Sequence, residues 1–224
     1  MEDIDLDAQR RELMRAALHH IPFDGWSWAA LTAAAEDCGL DAVDARNAFP
    51  EGPVGAIELF SLEADDAMLA AMEDYDLARM RVRDRVATAI RIRLEQNEPH
   101  KEAIRRALST LAMPGNAALS TRALYRTVDA VWAAAGDSSV DVNFYSKRAL
   151  LAGVYSSTLL YWLDDHSADH GATRAFLDRR IDEVLKIGGR LGKSIKQLQQ
   201  LPDRLRRLVP ETPRRGRNIT DLER

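Results

Sequence analysis

Apolar residues along this chain recur three or four positions apart, and almost nowhere do they alternate with polar ones in the two-residue rhythm of a strand. Ala, Leu, Arg and Glu dominate at that spacing, which predicts an all-α bundle of about nine helices followed by a C-terminal amphipathic helix. A first helix is expected from Asp5 to His20. Ser27 is placed to cap a second, with Gly39 just past its end after Cys38, and Asp41 is placed to cap a short third that stops before Pro50. Further helices are expected over 54–78, over 81–96 with a basic face, and from the turn at Pro99 to Pro114-Gly115. Others should run from Ser120 or Thr121 to Gly136-Asp137, over 143–165 and over 173–191. The 143–165 segment is apolar on most faces, through Leu150, Leu151, Val154, Tyr155, Leu159, Leu160 and Trp162, as a central buried helix would be.

The pattern changes near the C-terminus. Ile195, Leu198, Leu201, Leu205 and Leu208 form one stripe, and Lys193, Lys196, Arg204, Arg206 and Arg207 surround it. A basic amphipathic helix of this kind binds an anionic membrane surface, each positive charge contributing on the order of 1 kcal/mol. The same stripe also fits docking on the parent protein or self-association. Pro202 breaks or kinks the helix after Leu201, and the sequence beyond Pro210 has the composition of a disordered tail. Four segments follow: 1–52, 53–192, 193–209 and 210–224.

Charge alters the reading of the first segment. The 224 residues carry a net charge of only −4, so no global basic field attracts nucleic acid. Residues 1–52 hold four basic side chains against eleven acidic ones, while 186–224 hold eleven basic against four acidic. The rhythm from Trp26 through Gly39-Leu40 to Phe49 is that of a helix-turn-helix. Its third helix, however, sets Arg46 and Asn47 against Asp41 and Asp44, which DNA phosphates would repel. The segment therefore reads as a vestigial scaffold, with a ligand-responsive transcription regulator as the alternative. The single cysteine, Cys38, permits no intrachain disulfide. The acidic start MEDIDLDAQRR resembles neither a secretory signal nor a transit peptide. The longest strongly apolar run, between Arg148 and Asp164, falls short of the roughly 17–25 residues that span a bilayer. A cytoplasmic protein, peripheral on the cytoplasmic face of the inner membrane, is expected.

Candidate chemistry is sparse. His166 and His170 are four apart beside Asp164, Asp165 and Asp169, but the segment ends a helix and reads as a solvated polar loop, so no metal is expected. No nucleophile elbow, phosphate-cradling loop or dinucleotide fingerprint occurs, and no Glu-x-x-His pair provides di-iron ligands. Met68, Met72, Leu94, Leu111, Met113, Trp132, Leu151, Val154, Tyr155, Thr158 and Trp162 lie on successive helices. They fit an ordinary core, or the wall of an elongated cavity for a long apolar ligand. Aromatic residues also fall where a turn is expected, at Asn143-Phe144-Tyr145, either as staples packed into the fold or as a binding surface.

These segments carry a resemblance. Arg106-Ala107-Leu108-Ser109, Met113-Pro114-Gly115-Asn116, Val128-Asp129-Ala130-Val131-Trp132, Ala135-Gly136-Asp137-Ser138 and the run from Asp141 to Ala152, with Gly25-Trp26 and Gly39-Leu40, resemble the Coq-nine family of ubiquinone biosynthesis over roughly residues 10–190. The resemblance implies a TetR-like fold without enzyme activity or cofactor, which binds an isoprenoid quinone or other lipid. The family's partner is the di-iron demethoxyubiquinone hydroxylase, and a homodimer is possible. The resemblance maps the partner-binding patch to Asp129, Val131, Asn143, Phe144, Tyr145 and Arg148. It also implies a membrane-binding role for Ile195, Leu198, Leu201, Arg204, Leu205, Arg207 and Leu208. Phe144 stands where eukaryotic members carry Trp, which keeps an aromatic anchor without the indole donor.

Overall fold

The computed structural model describes the backbone of residues 6–136 and 143–199, with side chains over 6–136 and 146–186. Ten α-helices and four short 3-10 turns, with no strand, make up the described residues. Residues 1–182 form one compact unit; of the second unit, 183–224, the described part is helix continuing to Gln199.

The first expected helix, α1 (Leu6–Ala17), ends before His20, and a separate one-turn helix that the periodicity does not mark, α2 (Ile21–Asp24), follows with Pro22 in its first turn. The next two obey their expected caps. In α3 (Trp28–Asp37) the Ala30 N–H donates to Ser27 Oγ at 3.2 Å. Past its end Gly39 takes φ +72°, and the Leu40 N–H returns to the Ala35 carbonyl at 2.8 Å. At α4 (Ala42–Ala48) Asp41 accepts from Val43 and Asp44 N–H, and Asp44 accepts from the Asp41 N–H, closing a capping box. Leu13, Met14, Ala17, Ala30, Leu31, Ala34, Ala45 and Phe49 close the core beneath α1, α3 and α4. The alanines of α3 let its neighbours approach closely. Trp26 ties this unit to the rest by donating Nε1–H to the Ala103 carbonyl at 2.9 Å.

The larger bundle is α5 (Pro53–Met72), α6 (Val82–Gln96), α7 (Lys101–Leu111), α8 (Ala117–Ala134), α9 (Asn143–Leu163) and α10 (Gly171–Gln199). Three expected boundaries move. α5 ends at Met72 rather than near Ala78, where a 3-10 turn over Leu77–Arg79 takes over. α8 begins at Ala117, directly from a 3-10 turn over Pro114–Asn116. α10 runs unbroken through 191–194, where the sequence suggests a boundary; Gly192 weakens a helix there, but no proline removes a backbone N–H before Pro202. α5 packs on α6 and α8, and α8 and α6 both pack on α9. α9 is not buried on all faces: Leu151, Val154, Tyr155, Thr158, Leu159 and Trp162 turn inward, whereas Leu160 is 59% exposed and Tyr161 stacks on Phe176 of α10 at 4.5 Å.

The corner between α9 and α10 shows why Asp165 is not a solvated loop residue. It is buried, and its carboxylate accepts from Ser167 N–H and Thr173 N–H, both at 2.8 Å, and from the Thr173 hydroxyl. Burial alone would raise its pKa, but these hydrogen bonds from Thr173 and Ser167 outweigh it and hold the carboxyl well below the usual carboxylate range. Asp165→Ala should cost about 1–3 kcal/mol in urea unfolding at pH 7, since the start of α10 loses its cap. A carboxyl depressed in the folded state contributes stability above its unfolded pKa of about 4 and loses it as the pH falls. The wild type and the variant should therefore converge in stability below about pH 4. A gap that stays constant down to pH 2 would show that the ionised carboxylate is not the stabilising species.

Candidate functional site

Five helices, α5 to α9, leave a cavity of about 210 Å³ between them. Its wall is Ile57, Phe60 and Ser61 from α5, Arg93 from α6, and Ile104, Ala107, Leu108 and Leu111 from α7. α8 adds Ser120, Ala123, Leu124 and Thr127, and α9 adds Tyr155, Ser156, Leu159 and Leu160. The periodicity explains why five helices converge. Residues 57, 60 and 61, then 104, 107, 108 and 111, then 120, 123, 124 and 127 follow the three-four spacing of a single helix face. Most of this wall is apolar.

One end is polar and largely buried. The Arg93 guanidinium donates Nε–H to Asp65 Oδ1 at 2.7 Å and Nη1–H to the Tyr155 hydroxyl at 2.6 Å. Its Nη2 reaches Ser61 Oγ at 3.3 Å and Thr127 Oγ1 at 3.4 Å. Thr127 donates to Asp65 at 2.9 Å, and Arg126 reaches the other Asp65 oxygen at 3.3 Å. Burial opposes the Arg93 charge, but Tyr155 and Asp65 more than offset it, and the guanidinium stays ionised. Burial pushes the Tyr155 phenol above its ordinary value despite the nearby guanidinium, so Tyr155 is a neutral O–H at physiological pH. The network fixes the side chains of four helices in one arrangement.

The expected lipid-contacting residues divide sharply. Leu111 and Tyr155 line the cavity. Met68, Met72, Leu94, Leu151, Val154, Thr158 and Trp162 are buried in the core but off the cavity wall. Trp132 is half-buried under Lys147, whose Nζ lies 5.7 Å from its ring centre, and Met113 is 58% exposed. Helical spacing marks which face is buried and is silent on where packing leaves room. The cavity holds about 210 Å³: an engineered cavity of about 150 Å³ in another protein takes one benzene, so this one takes a ring with a short substituent.

The expected partner patch is partly assembled. Arg148 of α9 hydrogen-bonds through Nε to the half-exposed Asp129 of α8. Val131 is a correction, because it is fully buried and cannot touch a partner. Two positions after Asp129, it lies about 200° round the helix and faces the core. Asn143, Phe144 and Tyr145 form the first turn of α9, and their side chains lie outside the described residues. Of the expected membrane-contact residues, Ile195 and Leu198 lie on the α10 backbone, with side chains outside those described. Leu201, Arg204, Leu205, Arg207 and Leu208 lie outside the described residues altogether. No helix of the described residues is long and apolar enough to cross a membrane. At the histidine segment, His170 Nε2 lies 2.7 Å from Glu98, and the described residues contain no group of three or more metal-ligating side chains.

Sequence reasoning misses Asp65 and Arg93. The signal is present: each is a charge set on an apolar stripe, Asp65 between Phe60 and Met68, and Arg93 between Ile90 and Leu94. Two opposite charges so placed on adjacent helices mark a buried pair.

Comparison with known proteins agrees with this architecture. A crystal structure of a TetR transcriptional regulator from Nitrosomonas europaea superposes with a TM-score of 0.65, covering 80% of this chain and 99% of the regulator. At 21% identity that likeness shows the fold alone. Residues 117–188, which contain α8, α9 and the start of α10, match the COQ9 family model. The chain is 32% identical over 186 residues to the mitochondrial ubiquinone biosynthesis protein COQ9 of Drosophila melanogaster, covering 81% of this chain and 57% of the relative. It is 31% identical to COQ9-B of Xenopus laevis over 205 residues, 88% of this chain and 68% of the relative. With human COQ9 it shares 31% over 195 residues, 84% of this chain and 61% of the relative. The chain thus spans about three-fifths of the length of these curated relatives. A TetR-like helical bundle with these sequence matches belongs to the COQ9 family.

Proposed function

We propose that this chain is a non-catalytic accessory protein of ubiquinone biosynthesis, which binds an isoprenoid quinone intermediate and presents it to the di-iron demethoxyubiquinone hydroxylase at a membrane surface. The observation that supports the reading best is the apolar cavity with one largely buried polar end, in a member of the COQ9 family. A polyprenyl tail costs about 0.8 kcal/mol for each CH₂ exposed to water. An enzyme working at the membrane surface therefore gains from a protein that shelters part of the lipid while the rest stays in the bilayer. The chain works in this reading as a peripheral protein, held through the basic stripe around Ile195 and Leu198.

DNA binding is the weaker reading despite the fold. The helix in the recognition position, α4, commits Asp41 and Asp44 to its own capping box, and Arg46 lies over the Trp28 ring at 5.8 Å. Repulsion from the acidic first segment opposes phosphate contact.

Organic extraction of the purified protein followed by mass spectrometry should show an isoprenoid lipid at a substantial fraction of one per chain. Repeated absence of any such lipid would count against the proposal. Phe144→Ala or Tyr145→Ala should weaken hydroxylase binding by about 1–3 kcal/mol in calorimetry, as expected for an aromatic anchor. Unchanged affinity with an intact fold would remove these two side chains from the interface.

A further inference from the structure

Tyr155 holds a hydrogen that no group of the described residues accepts. It is 5% exposed, it forms part of the cavity wall, and its oxygen already accepts from Arg93 Nη1 at 2.6 Å. A phenol has one hydrogen to donate and lone pairs to accept with. The guanidinium occupies its acceptor side and leaves the O–H, polarised by that cation, as an open donor in a buried wall. A buried donor left unmatched is costly, so the ligand that completes the site carries an acceptor.

The charges narrow the ligand further. Arg93 is neutralised by Asp65, and Arg126 lies between Asp65 at 3.3 Å and Glu58 at 3.6 Å. Arg122 also reaches Glu58, at 3.9 Å, but it is mostly exposed and off the cavity wall; the one guanidinium in the wall, Arg93, is already matched by Asp65. A carboxylate or phosphate entering here would lose its hydration without a counter-charge. The cavity also has a direction. Leu160 is 59% exposed at its rim, while Arg93, Thr127 and Tyr155 are buried. Five residues separate Tyr155 from Leu160, about 7.5 Å along α9. That depth fits one six-membered ring.

We propose that the cavity takes the oxygenated ring of a neutral lipid head-first, with the Tyr155 hydroxyl donating to a ring carbonyl oxygen and the tail leaving past Leu160. This rests on the reading of the cavity as the lipid site, and it adds the orientation, the anchoring donor and the exclusion of anionic lipids.

Three probes of matched chain length test it by calorimetry on the full chain: decylubiquinone, undecylbenzene and laurate. Decylubiquinone should bind the wild type at least tenfold more tightly than laurate, and Tyr155→Phe should weaken it about tenfold. Undecylbenzene, which has no acceptor, should bind both proteins alike. If laurate matches the quinone, or Tyr155→Phe leaves quinone affinity unchanged, head-first recognition is wrong while lipid binding stands. If neither neutral probe binds the wild type, the lipid-site reading falls with it. Infrared spectra of ¹³C-carbonyl-labelled quinone on the wild type decide the matter even if Tyr155→Phe fails to fold. A carbonyl stretch lowered on binding is expected, and an unshifted band would overturn the proposal.

Discussion

Asp65→Ala should destabilise the protein by about 3–5 kcal/mol, the loss expected when one member of a buried ion pair is removed. Asp65 is 2% exposed and Arg93 is 6% exposed. Without the carboxylate, the guanidinium keeps only the neutral oxygens of Tyr155, Ser61 and Thr127. Thr127 and Arg126 lose an acceptor at the same time. Desolvation of the charge accounts for most of the loss, because the guanidinium is 6% exposed and keeps no counter-charge of its own. Urea unfolding at neutral pH measures the effect. The double variant Asp65→Leu, Arg93→Met should recover much of the stability, since a matched apolar pair leaves no unpaired charge. If the two single losses simply add in the double variant, Asp65 and Arg93 do not act as a pair, and the polar end of the cavity is held by something else.

That pair also shows what the sequence can and cannot reveal. Local chemistry is legible wherever the controlling residue sits beside the structure it controls. Ser27, Gly39 and Asp41 each cap the helix end their spacing predicts, because a cap is settled within four residues. Ser120 and Thr121 look like caps and misplace the start of α8, whereas the 3-10 turn over Pro114–Asn116 feeds the helix directly. Non-local facts are harder to read. Asp65 and Arg93 are 28 positions apart, and only the packing of α5 on α6 makes them partners. The cavity poses the same difficulty. Leu111 and Tyr155 line the cavity, yet Met68 carries the same sequence pattern and is fully packed. Its place in a motif draws Val131 into the partner patch, although helix geometry alone turns it from Asp129. Motif and periodicity give identity and facing; which buried residues border empty space depends on how five helices fail to fill the volume between them.

Trp162→Ala should cost about 3–5 kcal/mol, and it separates the core from the site. Trp162 is 1% exposed and among the largest fully buried side chains, yet it does not line the cavity. Lys101 Nζ lies 4.7 Å from its ring centre and the His170 ring meets it at 6.2 Å, so the indole fills the corner where α7, α9 and the turn before α10 meet. Truncation leaves a void that these helices cannot close, since Lys101 is also held by the Asp165 carbonyl at 3.3 Å and Glu98 at 3.3 Å. For a chain of this size the melting temperature should fall by roughly 10 °C or more. Trp162→Phe, which keeps an aromatic ring, should lose much less. Because the indole is off the wall, quinone affinity of the folded Trp162→Phe protein should match the wild type within about twofold, whereas Tyr155→Phe should not. A Trp162→Phe protein of normal stability that no longer binds the quinone would place Trp162 in the lipid site after all, and would mean that the cavity continues past Tyr155 into the space the indole now fills.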